Sequence, residues 1–98
     1  LAVFGGSKGV RVNAIRPGFI VQDEHQERYL SEDNISYRNL AEFCHPLKRV
    51  GTSDDVANVV LFLCSEYASF ITGEVIKIDG GLTIQDQWDL VNKYSNKF

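Results

Sequence analysis

Two segments rich in β-branched residues flank a strongly capped helix, and this order limits the folds open to the chain. Residues 10–15 end at the turn Arg16-Pro17-Gly18, and residues 74–79 end at Gly80-Gly81. Proline and glycine stop a strand at such points. A strand, a helix and a second strand in this order form a parallel pair with a right-handed crossover. We therefore predict an α/β fold with strands at residues 10–15 and 74–79.

The segment between the two strands carries the residues that start helices. Thr52 offers a hydroxyl cap, and Asp54 and Asp55 follow in the first turn, where the helix dipole favours carboxylates. Two apolar stripes then recur at helical spacing, at Val56, Val59, Val60 and Leu63 and at Ala57, Leu61 and Cys64. A helix this apolar is buried on two sides. We expect helix 53–66 to meet the sheet on one side and a second subunit on the other.

Residues 22–45 change in character, because six acidic residues face only two arginines there. We predict a polar loop with one or two short helices, and a connection this long is usually functional or disordered. Its acidity would suit basic substrates, although a solvated surface explains it more simply. Further on, Ile84, Trp88 and Val91 have helical spacing, and the pattern fades over residues 92–98.

Composition excludes several classes of function. The 98 residues carry a formal net charge of -3, which argues against nucleic acid and anionic membranes as partners. No apolar run approaches the roughly 18 residues that a membrane-spanning helix needs. Two cysteines, Cys44 and Cys64, do not make a disulfide framework. We expect reduced thiols and an intracellular protein, cytoplasmic or mitochondrial.

The chain is expected to be one partial domain over residues 1–98. It contains no Met, and its start at Leu1 has no signal pattern. Two strands alone would leave open edges and a bare apolar face. We therefore expect further sheet on the N-terminal side.

Four motifs stand in a fixed order along residues 9–83. They read GVRVNAIRPGFI at residues 9–20, PLKRVG at 46–51, DVAN at 55–58 followed by Phe62-Leu63, and ITG at 71–73 with Val75 and DGG at 79–81. Each motif is weak alone. Together they closely resemble the last third of the short-chain dehydrogenases/reductases.

The resemblance implies a C-terminal fragment of a Rossmann-like doubly wound parallel sheet, in the order strand, lid loop, helix, strand. Such sheets bind NAD or NADP outside the C-terminal ends of their strands. Residues 10–15 would be the sixth strand and residues 74–79 the seventh. Residues 22–45 would form the substrate lid, and residues 84–98 a C-terminal tail of the kind that often reaches a neighbouring subunit.

The same resemblance names cofactor-binding residues, namely Pro17, Gly18, Phe19, Ile20 and Gln22. The turn at residues 17–20 would lie against the nicotinamide, with the backbone of Ile20 facing its carboxamide. A side chain at Gly18 would block the close approach of the backbone to the ring. Gln22 stands where the family commonly has Thr, and its longer side-chain amide can both donate and accept hydrogen bonds.

No residue of the chain matches the catalytic Ser, Tyr or Lys of the family. Phe4 and Lys8 imitate the spacing of the Tyr–Lys pair, but Phe has no proton to give, and a strand follows Lys8 at once. Residues 1–9 align better with the end of the helix after that pair, with Gly9 as its stop. The glycine-rich phosphate loop is also missing from the chain.

Three other groups invite a chemical interpretation. Cys44-His45 resembles a nucleophile or metal site, Asp54-Asp55 a pair of acid–base carboxylates, and Asp79 a catalytic acid. We favour an ordinary thiol with a packing or solvated histidine, helix-start electrostatics and strand-end hydrogen bonding respectively. Accordingly, no catalytic residue and no metal site are predicted. Trp88 and Tyr94 are expected to pack the C-terminal helix rather than to stack on a ligand.

The leading hypothesis is a segment of an NAD- or NADP-dependent oxidoreductase that interconverts a carbonyl and an alcohol on a small molecule. The segment would supply the nicotinamide wall, the substrate lid and a homo-oligomer contact through helix 53–66 and strand 74–79. It would be inactive alone. The alternative is a truncated, non-catalytic module for binding or dimerisation. The sequence fixes neither the substrate nor the choice between NAD and NADP.

Overall fold

The strands of the chain form two separate parallel pairs. The computed structural model describes residues 1–97. Its strands are β1 (Ala14–Pro17), β2 (Ile20–Val21), β3 (Gly51–Thr52) and β4 (Val75–Ile78), and its helices are α1 (Ala2–Gly6), α2 (Gln26–Leu30), α3 (Ile35–Cys44), α4 (Ser53–Leu63) and α5 (Gln87–Lys97). β1 pairs with β4, and β2 pairs with β3. The predicted parallel pair is confirmed, whereas the β2–β3 pair was not foreseen.

The first strand starts later than predicted, at Ala14 rather than at residue 10. Side chains take over the pairing before that point. The Val12 amide donates to Thr72 Oγ1 (3.0 Å), and the Glu74 amide donates to Asn13 Oδ1 (3.0 Å). Regular pairing begins only where the Ala14 amide donates to the Glu74 carbonyl (2.8 Å). The predicted strand at residues 10–15 was therefore wrong at its start.

Pro17 lies inside β1, although we expected proline to end the strand before it. The amides of Ala14 and Gly18 donate to β4, at Glu74 O (2.8 Å) and Ile78 O (2.9 Å). Alternate residues of a parallel strand bond to one neighbour. The nitrogen of Pro17 thus faces away from β4, and its missing N–H removes no bond of this pair.

The polar stretch at residues 22–45 is mostly helical rather than a loop. Two 3-10 turns, Asp23–His25 and Glu32–Asn34, lead into α2 and α3. Ser31 Oγ and Asn34 Nδ2 both donate to the Arg28 carbonyl, at 2.9 and 2.7 Å, and so satisfy the end of α2. Two helices agree with the one or two that were predicted, but the 3-10 turns were not predicted, because side-chain bonds of this local kind are invisible to hydrophobic periodicity.

Helix α4 begins as predicted. Thr52 Oγ1 accepts from the Asp55 amide (3.2 Å), and Asp55 Oδ2 accepts from the Thr52 amide (2.8 Å), which is a reciprocal capping box. The helix ends at Leu63, three residues before the predicted end at 66. Ser65 Oγ donates to the Phe62 carbonyl (2.6 Å) and closes the last turn.

The tail forms a longer helix than the pattern indicated. α5 runs from Gln87 to Lys97, so the predicted fading after residue 91 was wrong, and Phe98 lies outside the described residues. Ile84 belongs to the 3-10 turn before the helix. Trp88 is 75% exposed, so the packing that we expected of this side chain is not made within the chain.

The core is small and the molecule is elongated. Its dimensions are 55 × 32 × 20 Å. Five apolar residues are buried among residues 1–96, namely Val21, Ala41, Val50, Leu63 and Ala68. Leu61 of the second α4 stripe is 68% exposed, and Val75 of β4 is 59% exposed. The stripe that we expected to be buried is therefore open within this chain. No helix among residues 1–97 has the length and apolar character to cross a membrane.

Two single substitutions test the capping box. Asp55→Ala should lower the free energy of unfolding of the complete gene product by about 1 kcal/mol, the typical value of a helix cap. Asp54→Ala is the matched control, because Asp54 lies one residue away and makes none of the capping bonds.

The same deficit should depend on pH. Arg49 holds the pKa of Asp55 well below its usual range, chiefly through the hydrogen bond of its guanidinium. The stabilisation is thus complete above the ordinary Asp pKa of about 3.9 and shrinks as the pH falls below it. Urea titrations at several pH values measure this, and a deficit that does not change with pH would contradict the role of the carboxylate.

Candidate cofactor and substrate site

The loop at residues 17–20, called the cofactor loop here, crosses the end of β4 at very close range. The Gly18 amide donates to the Ile78 carbonyl (2.9 Å). A Cβ atom at Gly18 would lie 2.7 Å from Asp79 Cβ and 3.0 Å from Asp79 Cα. Only glycine allows this approach. The fold therefore requires glycine at position 18 whether or not a ligand is bound.

Asp79 holds the turn that follows β4. Its carboxylate accepts from Thr83 Oγ1 (2.5 Å), the Gly81 amide (3.0 Å) and the Thr83 amide (3.2 Å). The Thr83 hydroxyl is the main reason why the pKa of Asp79 is lowered. A carboxylate bonded in this way positions the turn after β4, which confirms the strand-end hydrogen bonding that we expected of Asp79.

The far end of the cofactor loop is held by β3. The Gly51 amide donates to the Phe19 carbonyl (2.8 Å), and Ile20 lies opposite Gly51 in the parallel register. In such a ladder the residue opposite directs its own N–H and C=O away from the partner strand. Ile20 thus presents one donor and one acceptor on the open side. A carboxamide, which has an N–H₂ and a C=O, fits this pair.

Phe19 is fixed between two other rings. Its centroid lies 5.9 Å from that of Tyr37 and 6.3 Å, edge on, from that of His45. His45 is only 3% exposed, and its Nδ1 lies 2.6 Å from the Ala41 carbonyl oxygen. This confirms a packing histidine. Sequence reasoning missed that His45 lies against the cofactor loop, because the residue type alone gives no signal of such a contact.

Cys44-His45, which invited a nucleophile or metal interpretation, joins a free thiol to a buried histidine. Cys44 and Cys64 are both free thiols. Among residues 1–97 no group of three or more His, Cys, Asp or Glu side chains is placed to hold a metal ion. His45 Nε2 is buried without a hydrogen-bond partner in the part of the chain described.

Four of the five predicted cofactor residues form one continuous surface. Pro17 ends β1 and is exposed, Gly18 and Phe19 cross to β2, and Ile20 opens β2. Gln22 lies just beyond, exposed, at the start of a 3-10 turn, where its carbonyl accepts from the His25 amide (2.8 Å). Its side chain points to no partner within residues 1–97.

A cavity of about 490 Å³ lies between the cofactor loop and the segment of α2 and α3, which is the predicted lid. We call it the lid cavity. Cofactor-loop and lid residues share its lining, which consists of Phe19, Ile20, Val21, His25, Arg28, Tyr29, Asn34 and Tyr37. A second cavity, of about 530 Å³, lies beside β4 and contains the Arg49–Asp55 ion pair. Since these two charges satisfy each other at 2.7 Å, the lid cavity is the better candidate for substrate.

Tyr29 is a structural residue of the lid rather than a proton donor. Its hydroxyl donates to Glu42 Oε1 (3.2 Å), and its carbonyl accepts from Arg38 Nη1 (3.0 Å). Burial, followed by the charge of Glu42, raises the pKa of Tyr29 to about 12. The phenol therefore stays protonated at neutral pH and remains bonded to Glu42.

Phe4 and Lys8, which have the spacing of the family's Tyr–Lys pair, lie at the end of helix α1. α1 stops at Gly6, and the Val10 amide donates back to the Gly5 carbonyl (2.9 Å). Lys8 Nζ lies 5.3 Å from the centre of the Phe4 ring, an apolar ring with no proton to transfer. Gly9 has a φ of 74°, as expected of a helix stop.

A parallel strand pair joined through a helix, a glycine at the strand end and an outward-facing backbone are features of a segment of a Rossmann-like α/β fold. A family model described as Enoyl-(Acyl carrier protein) reductase matches residues 1–83. The chain belongs to the short-chain dehydrogenase/reductase family, a family of NAD- or NADP-dependent oxidoreductases. The α/β Rossmann-like fold class expected from the sequence is confirmed.

Curated relatives agree with this assignment. The chain is 51% identical over 75 residues to 3-oxoacyl-(acyl-carrier-protein) reductase FabG of Aquifex aeolicus, covering 76% of the chain and 28% of the relative. It is 39% identical over 79 residues to 2-(S)-hydroxypropyl-CoM dehydrogenase 3 of Xanthobacter autotrophicus, covering 78% and 30%. The chain thus spans roughly a third of the length of the relatives that it matches.

Solved structures give the same answer. A 4-hydroxyisoleucine dehydrogenase complexed with NADH is similar with a TM-score of 0.73 and 33% identity, over 87% of this chain and 34% of that one. ElxO with NADP bound is similar with a TM-score of 0.72 and 36% identity, over 86% and 33%. Nicotinamide cofactors of both kinds are therefore found among structures similar to this chain.

Gly18 gives the sharpest test of the site. Gly18→Ala should lower the free energy of unfolding of the complete gene product by about 1–3 kcal/mol, since the new methyl group meets Asp79 and the loop must shift. Gly6→Ala is the matched control, because no atom lies within 4 Å of a Cβ built there. Denaturant titrations measure both. Equal effects at the two positions would contradict the close approach.

Proposed function

We propose that the chain supplies the nicotinamide wall and the substrate lid of an NAD- or NADP-dependent enzyme that interconverts a carbonyl and an alcohol. The cofactor supplies or accepts hydride at the carbonyl carbon, and a proton is added to, or removed from, the oxygen. The relatives and neighbours act on chemically different compounds by name, so they support the reaction class rather than one substrate.

The outward-facing backbone of Ile20 is the observation that carries the proposal. It offers a donor and an acceptor directly after the Gly18 turn, at the end of a parallel strand, where Rossmann-like sheets bind their dinucleotides. Pro17, Gly18 and Phe19 complete the wall. Gln22 is proposed to reach the cofactor with its side-chain amide, in the place of the shorter Thr that is common in the family.

The chain itself is proposed to be inactive. The phenol of Tyr29 is bound to Glu42, and the carboxylate of Asp79 is bound in its turn. Neither is free to move a proton at a substrate. The acid–base group would have to come from residues outside these 98. Measurable carbonyl reduction by the purified 98-residue chain would contradict this assignment.

An oligomer contact is proposed for α4 and β4. Leu61 and Val75 leave apolar surface exposed on these two elements. Such surface is typical of a contact with another protein surface. A non-catalytic binding module remains the second candidate on the same observation, and a stable oligomer of the 98-residue chain without cofactor would favour it.

One pair of variants tests the cofactor assignment. Ile20→Pro removes the N–H that faces outward, whereas Ile20→Val keeps it and changes only the side chain. We expect the complete gene product to bind NADH or NADPH. Ile20→Pro should raise the dissociation constant of the cofactor by about 10-fold, which is the effect of losing one well-placed hydrogen bond. Fluorescence titration of the reduced cofactor measures the affinity, and circular dichroism verifies folding. Unchanged affinity in Ile20→Pro would contradict the carboxamide contact.

A further inference from the structure

The acidic and basic side chains of the lid differ in their position relative to the lid cavity. Six acidic residues occur at positions 22–45, and none of them lines the cavity. Its lining includes Arg28 and also His25, which is charged only if it is protonated. The acidic side chains of the lid, which suggested basic substrates, thus lie outside the cavity lining, with Glu42 bonded to Tyr29 and Glu24 beside His25. The wall that faces the cofactor loop carries positive charge.

Arg28 is the unpaired cation of this wall. His25 Nε2 lies 3.4 Å from Glu24 Oε1, so a neighbouring carboxylate offsets its charge when it is protonated. Arg38, the other arginine of the lid, donates to the carbonyls of Tyr29 and Ser31. Within residues 1–97, the guanidinium of Arg28 makes no hydrogen bond and no ion pair.

The backbone of Arg28 is nevertheless held firmly. Its carbonyl accepts from Ser31 Oγ (2.9 Å) and Asn34 Nδ2 (2.7 Å), and the next residue, Tyr29, is bound to Glu42. A fixed main chain therefore carries a free guanidinium beside a cavity that also touches Phe19 and Ile20. This arrangement suits a ligand rather than the stability of the lid.

We infer that the lid cavity binds a carboxylate of the substrate through Arg28. The planar guanidinium fits a carboxylate with two parallel hydrogen bonds. A single unpaired cation balances the one negative charge of a carboxylate. It leaves a phosphate monoester, which carries about two negative charges at neutral pH, only partly neutralised. The inference rests on the proposed function, and it narrows the substrate to a hydroxy acid or keto acid.

Binding without cofactor tests the site directly. The probes are 4-oxopentanoate and its methyl ester, titrated by calorimetry into the complete gene product. We expect the acid to bind, and Arg28→Gln to weaken its binding by about 10- to 100-fold. Arg28→Lys should restore part of the affinity. Glu27→Gln is the matched control, since Glu27 lies one residue away and does not line the cavity, and it should leave binding unchanged.

Several outcomes would overturn the inference. These are no saturable binding of the acid, equal binding of acid and ester, or an unchanged affinity in Arg28→Gln. Stronger competition by inorganic phosphate than by acetate would overturn the choice of carboxylate. Arg28→Gln removes no hydrogen bond and no ion pair made within residues 1–97, so its melting temperature should equal that of the unaltered protein.

Reduction kinetics separate this inference from the proposed function. Reduction of acid and ester with equal kcat/KM by the unaltered protein and by Arg28→Gln would support the proposed function and overturn the carboxylate site. Arg28-dependent binding of the acid without any oxidation of NADH or NADPH would support the carboxylate site and overturn the proposed function.

Discussion

The close passage of Gly18 over the end of β4 is the constraint on which the rest of the structure depends. The Gly18–Ile78 hydrogen bond and the missing side chain at Gly18 determine where the chain leaves the first parallel pair. From that point the chain can reach β3 after two residues. A bulkier residue would push the loop away from Asp79 and separate the two strand pairs. The cofactor loop is thus set by backbone contact rather than by side-chain packing.

The second pair is coupled to helix α4 by charge. Arg49 donates two hydrogen bonds to Asp55, at 2.7 and 3.1 Å, while Asp55 also caps the helix through Thr52. One carboxylate therefore ties the strand that supports Ile20 to the start of the helix. The lid attaches on the other side, where Phe19 meets Tyr37. A cofactor loop held from both sides keeps its outward backbone groups in place without a ligand, which lowers the ordering that binding requires.

Sequence reasoning succeeded where one short pattern decides the structure. Thr52 and Asp55 predicted the helix start, and β-branched residues located the strand β4. It failed where distant side chains decide. Asn13 bonds to residues about sixty positions away and delays the first strand, and the two-residue pair at Ile20 has too few residues to leave a pattern. The lid cavity could not be predicted for the same reason. Arg28 lines it and the acidic residues of the lid do not, and this separation appears only in the folded structure.

The central claim is that the backbone of Ile20 receives the nicotinamide. The most direct test is a crystal structure of the complete gene product with NADH or NADPH bound. We predict that the nicotinamide carboxamide lies within about 2.7–3.2 Å of the amide nitrogen and carbonyl oxygen of Ile20. A nicotinamide that is bound elsewhere, with water alone at both groups of Ile20, would contradict it.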